Sequence, residues 1–223
     1  WKWDRVAPHL SALAGRTGNY TFVSSISVYA EPMIPGADES ARVATLADAA
    51  TETVSGETYG ALKALCEGAV EAEFPGRVLN VRAGLLVGPW DYTDRFPYWV
   101  DRVARGGEVL MPDAMDQPVQ FIDARDAAAW MLSMAERGEA GTFNLTGPAT
   151  PLVLGGCFGL ARLVLNAHHT SFIPVSPEFL LEQGVTPWTE LPLWTPGDDG
   201  HMAVGIARAL ASGLRVRPLE QTL

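Results

Sequence analysis

One run constrains this chain most: Val78-Leu79-Asn80-Val81-Arg82-Ala83-Gly84-Leu85-Leu86-Val87, closed by Gly88-Pro89. A continuous apolar stretch of this length reads as an inner strand of a parallel sheet. Such a strand needs strand neighbours and helices on both faces, because an inner strand cannot be left unpaired. The surrounding sequence supplies them. Tyr20-Thr21-Phe22-Val23 opens a β-rich segment over 20–26, and short strands are expected at 119–122 and 142–145. Helices are expected over 4–14, over 56–72 (ending before Pro75-Gly76) and over 125–137.

Beyond Pro89 the pattern changes. Trp90, Tyr92, Phe96, Tyr98 and Trp99 crowd together ahead of a helix running to about Arg105. They suit either a pocket lining or a plain aromatic core. A helix over 152–165 and a strand over 170–175 follow, and Ser176-Pro177-Glu178 reads as an N-cap with proline at the first helical position. Two segments lack periodicity. Residues 31–54 form either a mobile lid or a surface loop, and 186–194, with two Trp and two Pro, reads as a rigid loop able to cap a pocket.

Chemistry enters with Tyr59-Gly60-Ala61-Leu62-Lys63, downstream of Ser24-Ser25-Ile26-Ser27-Val28-Tyr29. A four-residue spacing puts a phenol and an ammonium on one helix face, a turn apart. A free Tyr, with a pKa of about 10, is a poor acid or base near neutrality, and a nearby positive charge favours the phenolate. Such a pair can move protons at a substrate oxygen. A helix-surface pair would look the same, but only Lys2 and Lys63 among the 16 basic residues are lysines, so a Lys here is out of character.

Together these blocks resemble the extended short-chain dehydrogenase/reductase superfamily, in its NAD-dependent epimerase/dehydratase branch. The strand-end serine corresponds to Ser25, the Tyr-x-x-x-Lys pair to Tyr59 and Lys63, and the later strand and Gly-Pro turn to 78–89. Val119-Gln120-Phe121-Ile122-Asp123-Ala124-Arg125-Asp126 matches the short strand before a helix that opens near an Asp. The resemblance covers residues 1–150 well. It implies an α/β, Rossmann-like doubly wound parallel sheet with a small C-terminal substrate lobe. Residues 1–88 with 119–148 would form the NAD(P)-binding domain, and 89–118 with 149–223 the substrate lobe.

The resemblance also implies roles. Tyr59 would be the general acid/base, Lys63 would favour its phenolate and bond the cofactor ribose, and Ser25 would orient the substrate oxygen. Ser24, Arg82 and Gly84, with Tyr59 and Lys63, would lie at the cofactor, NAD or NADP. Gly88 lies on the turn past the nicotinamide end. Ser27, Trp90, Tyr92 and Trp188 would face the substrate. The activity implied is an NAD(P)-dependent oxidoreductase or epimerase acting on a hydroxyl or carbonyl. The alternative is a non-catalytic dinucleotide-binding or regulatory relative, or a remnant that binds no cofactor. A homodimer follows by family analogy alone.

Departures matter as much. Sugar-nucleotide relatives carry an Asn before the Gly-Pro turn and an Arg before the later Asp pair, both serving a diphosphate. Here Leu85 and Val119 stand there. An apolar residue cannot neutralise a diphosphate, so a less charged substrate is expected, with Arg95, Arg102 or Arg105 as alternative sources of charge. The family's strand, glycine-rich turn and helix for the pyrophosphate have no counterpart. Gly15-Arg16-Thr17-Gly18 precedes a strand, and Gly155-Gly156-Cys157-Phe158-Gly159 comes too late. Because the chain starts at Trp1 on what reads as a helix and its last residues read as a helix cut short, a longer protein is expected. The segment that selects NAD over NADP is likewise missing, so both stay open.

Bulk properties exclude other classes. The net charge of −10 comes without a Lys/Arg stripe, which argues against nucleic acid as a partner. No apolar run reaches the roughly 18 residues that cross a bilayer, so no membrane partner is expected. Cys66 and Cys157 read as buried structural thiols, which suits a cytoplasmic protein. The four histidines show no zinc spacing, so no metal is expected.

Overall fold

The computed structural model describes residues 9–13, 15–48, 50–197 and 200–223. Residues 9–13 are helical (α1); residues 4–8 and 14 of the helix expected over 4–14 lie outside the described residues. Strand β1 (Tyr20–Ser25) runs into a 3-10 turn at Ile26–Val28. After the irregular segment come α2 (Tyr59–Glu73), β2 (Val78–Ala83), β3 (Leu85–Val87), α3 (Arg95–Arg105), β4 (Gly107–Pro112), β5 (Phe121–Asp123), α4 (Ala124–Glu136) and β6 (Gly141–Leu145). The chain ends with α5 (Leu154–Val164), β7 (Thr170–Val175), α6 (Pro177–Glu182), α7 (Ala207–Ala211) and a 3-10 turn at Leu219–Gln221.

Among the described residues, these strands pair with one another in parallel. The order β1-β2-β6 forms a three-stranded sheet, β3 pairs with β5, and β4 pairs with β7. Every residue of β2 is buried, as the apolar run requires of a central strand. Alternation along the strands feeds two layers. Phe22 and Val78 pack with Val70 of α2 and with Phe74 just past its end. Leu79, Val81, Phe143 and Leu145 pack with Ala127, Trp130 and Met134 of α4 on the other face. The result is an α/β sheet wound on both sides.

The structure corrects the single strand expected over 78–87. It divides at Gly84, where β2 leaves β1 and β6 and β3 turns to pair with β5. A Cβ at Gly84 would lie 2.4 Å from Thr146 Oγ1, so the chain crosses there only because the residue is glycine. Helix α2 begins three residues later than expected, which makes Tyr59 its first residue. Strand β4 escaped the pattern because it opens at the Gly106-Gly107 pair, both at positive φ, a turn signal in sequence.

Around β4 and β7 a second core gathers Phe96 and Trp99 of α3, Phe158 of α5, and Leu191, Leu193 and Trp194. Segment 31–54 has no helix or strand among its described residues but is tied to the sheet. Ala44 N–H donates to Val28 O at 2.7 Å, and Glu39 Oε1 accepts from Asn144 N–H at 2.7 Å. Both cysteines are free thiols; Cys157 is buried and burial pushes its pKa up to about 12, whereas Cys66 is half-buried.

Candidate active site

A cleft of about 1150 Å³ opens at the carboxyl ends of β1 and β2, where parallel sheets place their ligands. Ser24, Ser25, Ser27, Tyr59, Lys63 and Gly84 all line it. Ser25 closes β1 and caps the 3-10 turn. Its Oγ accepts from Ser27 N–H at 3.1 Å and lies 3.1 Å from Ser27 Oγ.

The start of α2 is fixed from outside by Thr58, whose Oγ1 donates to Thr53 O at 2.6 Å and accepts from Ser55 N–H at 2.9 Å. It is fixed from inside by Gly60. A Cβ there would lie 1.9 Å from Ser27 O, so the helix bearing Tyr59 touches the serine turn directly. One turn on, Lys63 is only 7% exposed. Its Nζ donates to Val23 O at 2.9 Å and sits 5.1 Å from the Phe22 ring centroid. Burial pulls the Lys63 pKa below the ordinary lysine value, while electrostatic interaction with Cys66 and Glu67 acts in the opposite sense. Ser24 is 4% exposed, and its Oγ has no hydrogen-bond partner among the described residues.

Other expected site residues fall elsewhere. Arg82 is buried outside the cleft lining and is held by Glu67 through Nε at 3.0 Å and Nη2 at 2.8 Å. Its guanidinium also lies 4.9 Å from the Tyr29 ring and donates to Glu39 O at 3.2 Å. A side chain so occupied braces β2 against α2. Trp90 and Tyr92 do not line the cleft; they are 97% and 95% exposed. Trp90 has a φ of 70°, and the turn after Gly88-Pro89 carries both rings outward. Trp188 does line the cleft, with the Arg95 guanidinium 5.3 Å from its ring centroid. Gly88 packs on Asp123. Leu85 reaches the cleft, whereas Val119 is buried in the second core.

One pair had no signal in the sequence. His201 Nδ1 lies 3.0 Å from Glu31 Oε1, and both residues line the cleft. They stand 170 positions apart, and neither sits in a motif. Among the described residues, no group of three or more His, Cys, Asp and Glu side chains could hold a metal ion. No helix there is long and apolar enough to cross a membrane.

The model of the NAD dependent epimerase/dehydratase family matches residues 9–146, which include the serine turn, the Tyr59–Lys63 helix and the strand crossing at Gly84. The chain belongs to this family. Solved structures agree on the fold. A UDP-N-acetylglucosamine 4-epimerase from Methanobrevibacter ruminantium, in complex with UDP-N-acetylmuramic acid, is similar at 18% identity with a TM-score of 0.69, covering 99% of this chain and 65% of that one. A dTDP-4-dehydrorhamnose reductase from Clostridium acetobutylicum follows at 15% identity and a TM-score of 0.66, covering 96% and 66%. The Bacillus anthracis dTDP-4-dehydrorhamnose reductase, in complex with NADP, is similar at 16% and 0.62, covering 92% and 63%. The present chain thus spans slightly less than two thirds of these family structures. No curated protein matches it.

Proposed function

We propose that this chain carries the catalytic and substrate-binding part of an NAD(P)-dependent oxidoreductase or epimerase acting on a hydroxyl or carbonyl of a small molecule. The observation behind this reading is that Ser25, Tyr59 and Lys63 line one cleft, with Gly60 allowing the helix to meet the serine turn. The residues present suit a nicotinamide dinucleotide. Ser24 offers a buried hydroxyl on the cleft wall that lacks a partner among the described residues, and Lys63 offers a buried ammonium beside it. With Gly84 they would hold the ribose and nicotinamide end. The bound nicotinamide would supply or accept the hydride.

The chain's own residues do the rest. Tyr59 gives or takes the proton at the substrate oxygen. Lys63 sets a positive charge one helical turn away, which favours negative charge developing on that oxygen. Ser25 Oγ accepts Ser27 N–H and donates its proton to Ser27 Oγ, so a substrate oxygen would take the place of Ser27 Oγ as the acceptor of that proton. Residues 89–118 with 149–223 form the substrate side, and 1–88 with 119–148 the cofactor side. Similar structures act on nucleotide sugars by name, but Leu85 puts an apolar side chain on the cleft where a diphosphate needs donors, and Val119, buried in the second core, supplies none, which favours a less charged substrate.

The test is replacement of Tyr59 by Phe in the longest natural form of the chain, with carbonyl reduction followed by NADH or NADPH oxidation. Turnover should fall by about 10² or more, while cofactor affinity stays within a few-fold. Undiminished turnover would remove Tyr59 from the mechanism. A wild-type protein that binds the dinucleotide but turns over no carbonyl would instead be a binding relative.

A further inference from the structure

We infer that Arg95, stacked on Trp188, is the anion receptor of the cleft, and that the substrate is a carbonyl or hydroxy compound bearing one oxyanion group. This rests on the oxidoreductase reading for the carbonyl, and on the geometry alone for the anion.

The sequence left three arginines as sources of positive charge near the substrate: Arg95, Arg102 and Arg105. The structure separates them. Arg102 donates to Gly106 O at 2.9 Å and also to Glu108 O, and Arg105 pairs with Asp101 at 2.5 Å. Neither lines the cleft, and Arg95 does.

Its pose is built rather than incidental. The turn after Gly88 hooks back through Asp91 N–H on Gly88 O at 3.2 Å. Asp91 Oδ1 accepts from Thr93 N–H at 2.9 Å and from Thr93 Oγ1 at 2.5 Å. Thr93 Oγ1 in turn accepts from Arg95 Nε at 3.1 Å. Trp188 beneath is anchored as well: its main-chain N–H donates to Trp194 O at 3.1 Å, and its side chain packs against the second core. One edge of the guanidinium is therefore held, and one face is covered. No carboxylate among the described residues pairs with it. The two Nη groups remain as a planar fork, the geometry that takes a carboxylate or phosphate in two parallel bonds. Ordering the side chain beforehand removes an entropy cost that binding would otherwise carry.

Among the described residues, Asp91 reaches Arg95 only through Thr93, on the Nε edge and not at the fork. Glu31 is engaged by His201, and Glu57 is exposed. Arg42 also lines the cleft but is exposed, with no comparable scaffold for its guanidinium. A single prepared fork suits one oxyanion. Leu85 and Leu86 on the lining of the same cleft suit an uncharged body.

The experiment needs neither cofactor nor turnover, so its outcome is separate from that of the Tyr59 substitution. The chain is labelled with fluorotryptophan, and the Trp188 line is assigned with Trp188→Phe. It is then titrated with para-acetylbenzoate, its methyl ester and para-acetylphenyl phosphate. The acid should bind about tenfold or more tighter than the ester, as expected for a charge-assisted hydrogen bond. Arg95→Gln should erase that difference while the melting temperature holds. Preference for the phosphate over the carboxylate would assign a phosphate monoester, and the reverse order a carboxylic acid. Equal binding of acid and ester, a difference that survives Arg95→Gln, or a Trp188 line unmoved by all three probes would overturn the proposal.

Discussion

At Gly60 the site depends on the absence of one carbon. A methyl group there would sit 1.9 Å from the Ser27 carbonyl oxygen, which belongs to the backbone and has no rotamer to escape into. Alanine gains about 1 kcal/mol of helix propensity over glycine, but overpacking of this kind costs about 1–3 kcal/mol. The helix must then back away from the serine turn and take Tyr59 with it. Gly60→Ala should therefore change the melting temperature little and cut turnover by about 10² or more, since small displacements of a reacting group are that costly. Thermal unfolding and steady-state rates on the same preparation check both halves; full turnover would show that the contact relaxes freely. The Tyr-to-Lys spacing was legible because helix periodicity fixes it. The need for glycine between them was not, because it comes from a residue 33 positions upstream. The His201–Glu31 pair was illegible for the same reason at a greater separation.

Elements were legible where they are long and uniformly patterned, as with α2, α4 and the burial of β2. They were not where one residue redirects the chain, as at Gly84, or where a strand starts on a turn dipeptide, as β4 does at Gly107. The junction of β5 and α4 was only half readable. Asp123 was expected to open a helix, and it does cap α4, accepting from Arg125 N–H at 2.8 Å. What the sequence hid is the reach of that carboxylate. It also takes Arg125 Nε at 2.8 Å and Thr222 Oγ1 at 3.2 Å, with Arg217 Nε 3.6 Å away, so it ties β5 to the C-terminal residues. Burial alone would raise its pKa, yet the bonds from Arg125 and the charge of Arg217 prevail and hold it below the ordinary carboxylate value. The sign follows. The folded state binds the proton less tightly than the unfolded chain, so this stabilisation is complete above about pH 4. It is lost as pH falls through the lower folded value. Asp123→Asn should cost about 1–3 kcal/mol at neutral pH, and urea unfolding should show the gap to wild type shrinking in acid. A gap independent of pH would mean that the charge contributes nothing.

Across the whole molecule, one wall of the cleft is irregular chain, and its position has to be set by something other than a sheet or a long helix. Trp188, Thr195, His201 and Met202 all reach the cleft from the segment before α7. Two glutamines on the strand-like stretch before β5 hold that segment as a β-ladder would. Gln117 donates through Nε2 to Leu193 O at 2.8 Å and accepts Thr195 N–H at 3.0 Å. Gln120 repeats the device, donating to Val204 O at 3.0 Å and accepting Val204 N–H at 2.9 Å. Each side-chain amide matches a backbone amide in shape and in donor and acceptor, so each substitutes for one residue of a missing strand. If this stitching places the wall, Gln120→Leu leaves both polar groups of Val204 without their partner, at a cost of about 1–3 kcal/mol per group if they stay buried. The cheaper outcome is local opening to water. Hydrogen exchange at the Val204 amide should then accelerate by about 10-fold or more, while amides of β2 keep their protection and KM rises more than kcat falls. Unchanged exchange at Val204 would mean that the hydrophobic contacts of Val204 and Ile206 with Ile26 and Val28 hold the segment by themselves. Exchange that rises throughout β2 as well would mean that the segment supports the sheet, and that the cleft wall and the fold are a single cooperative unit.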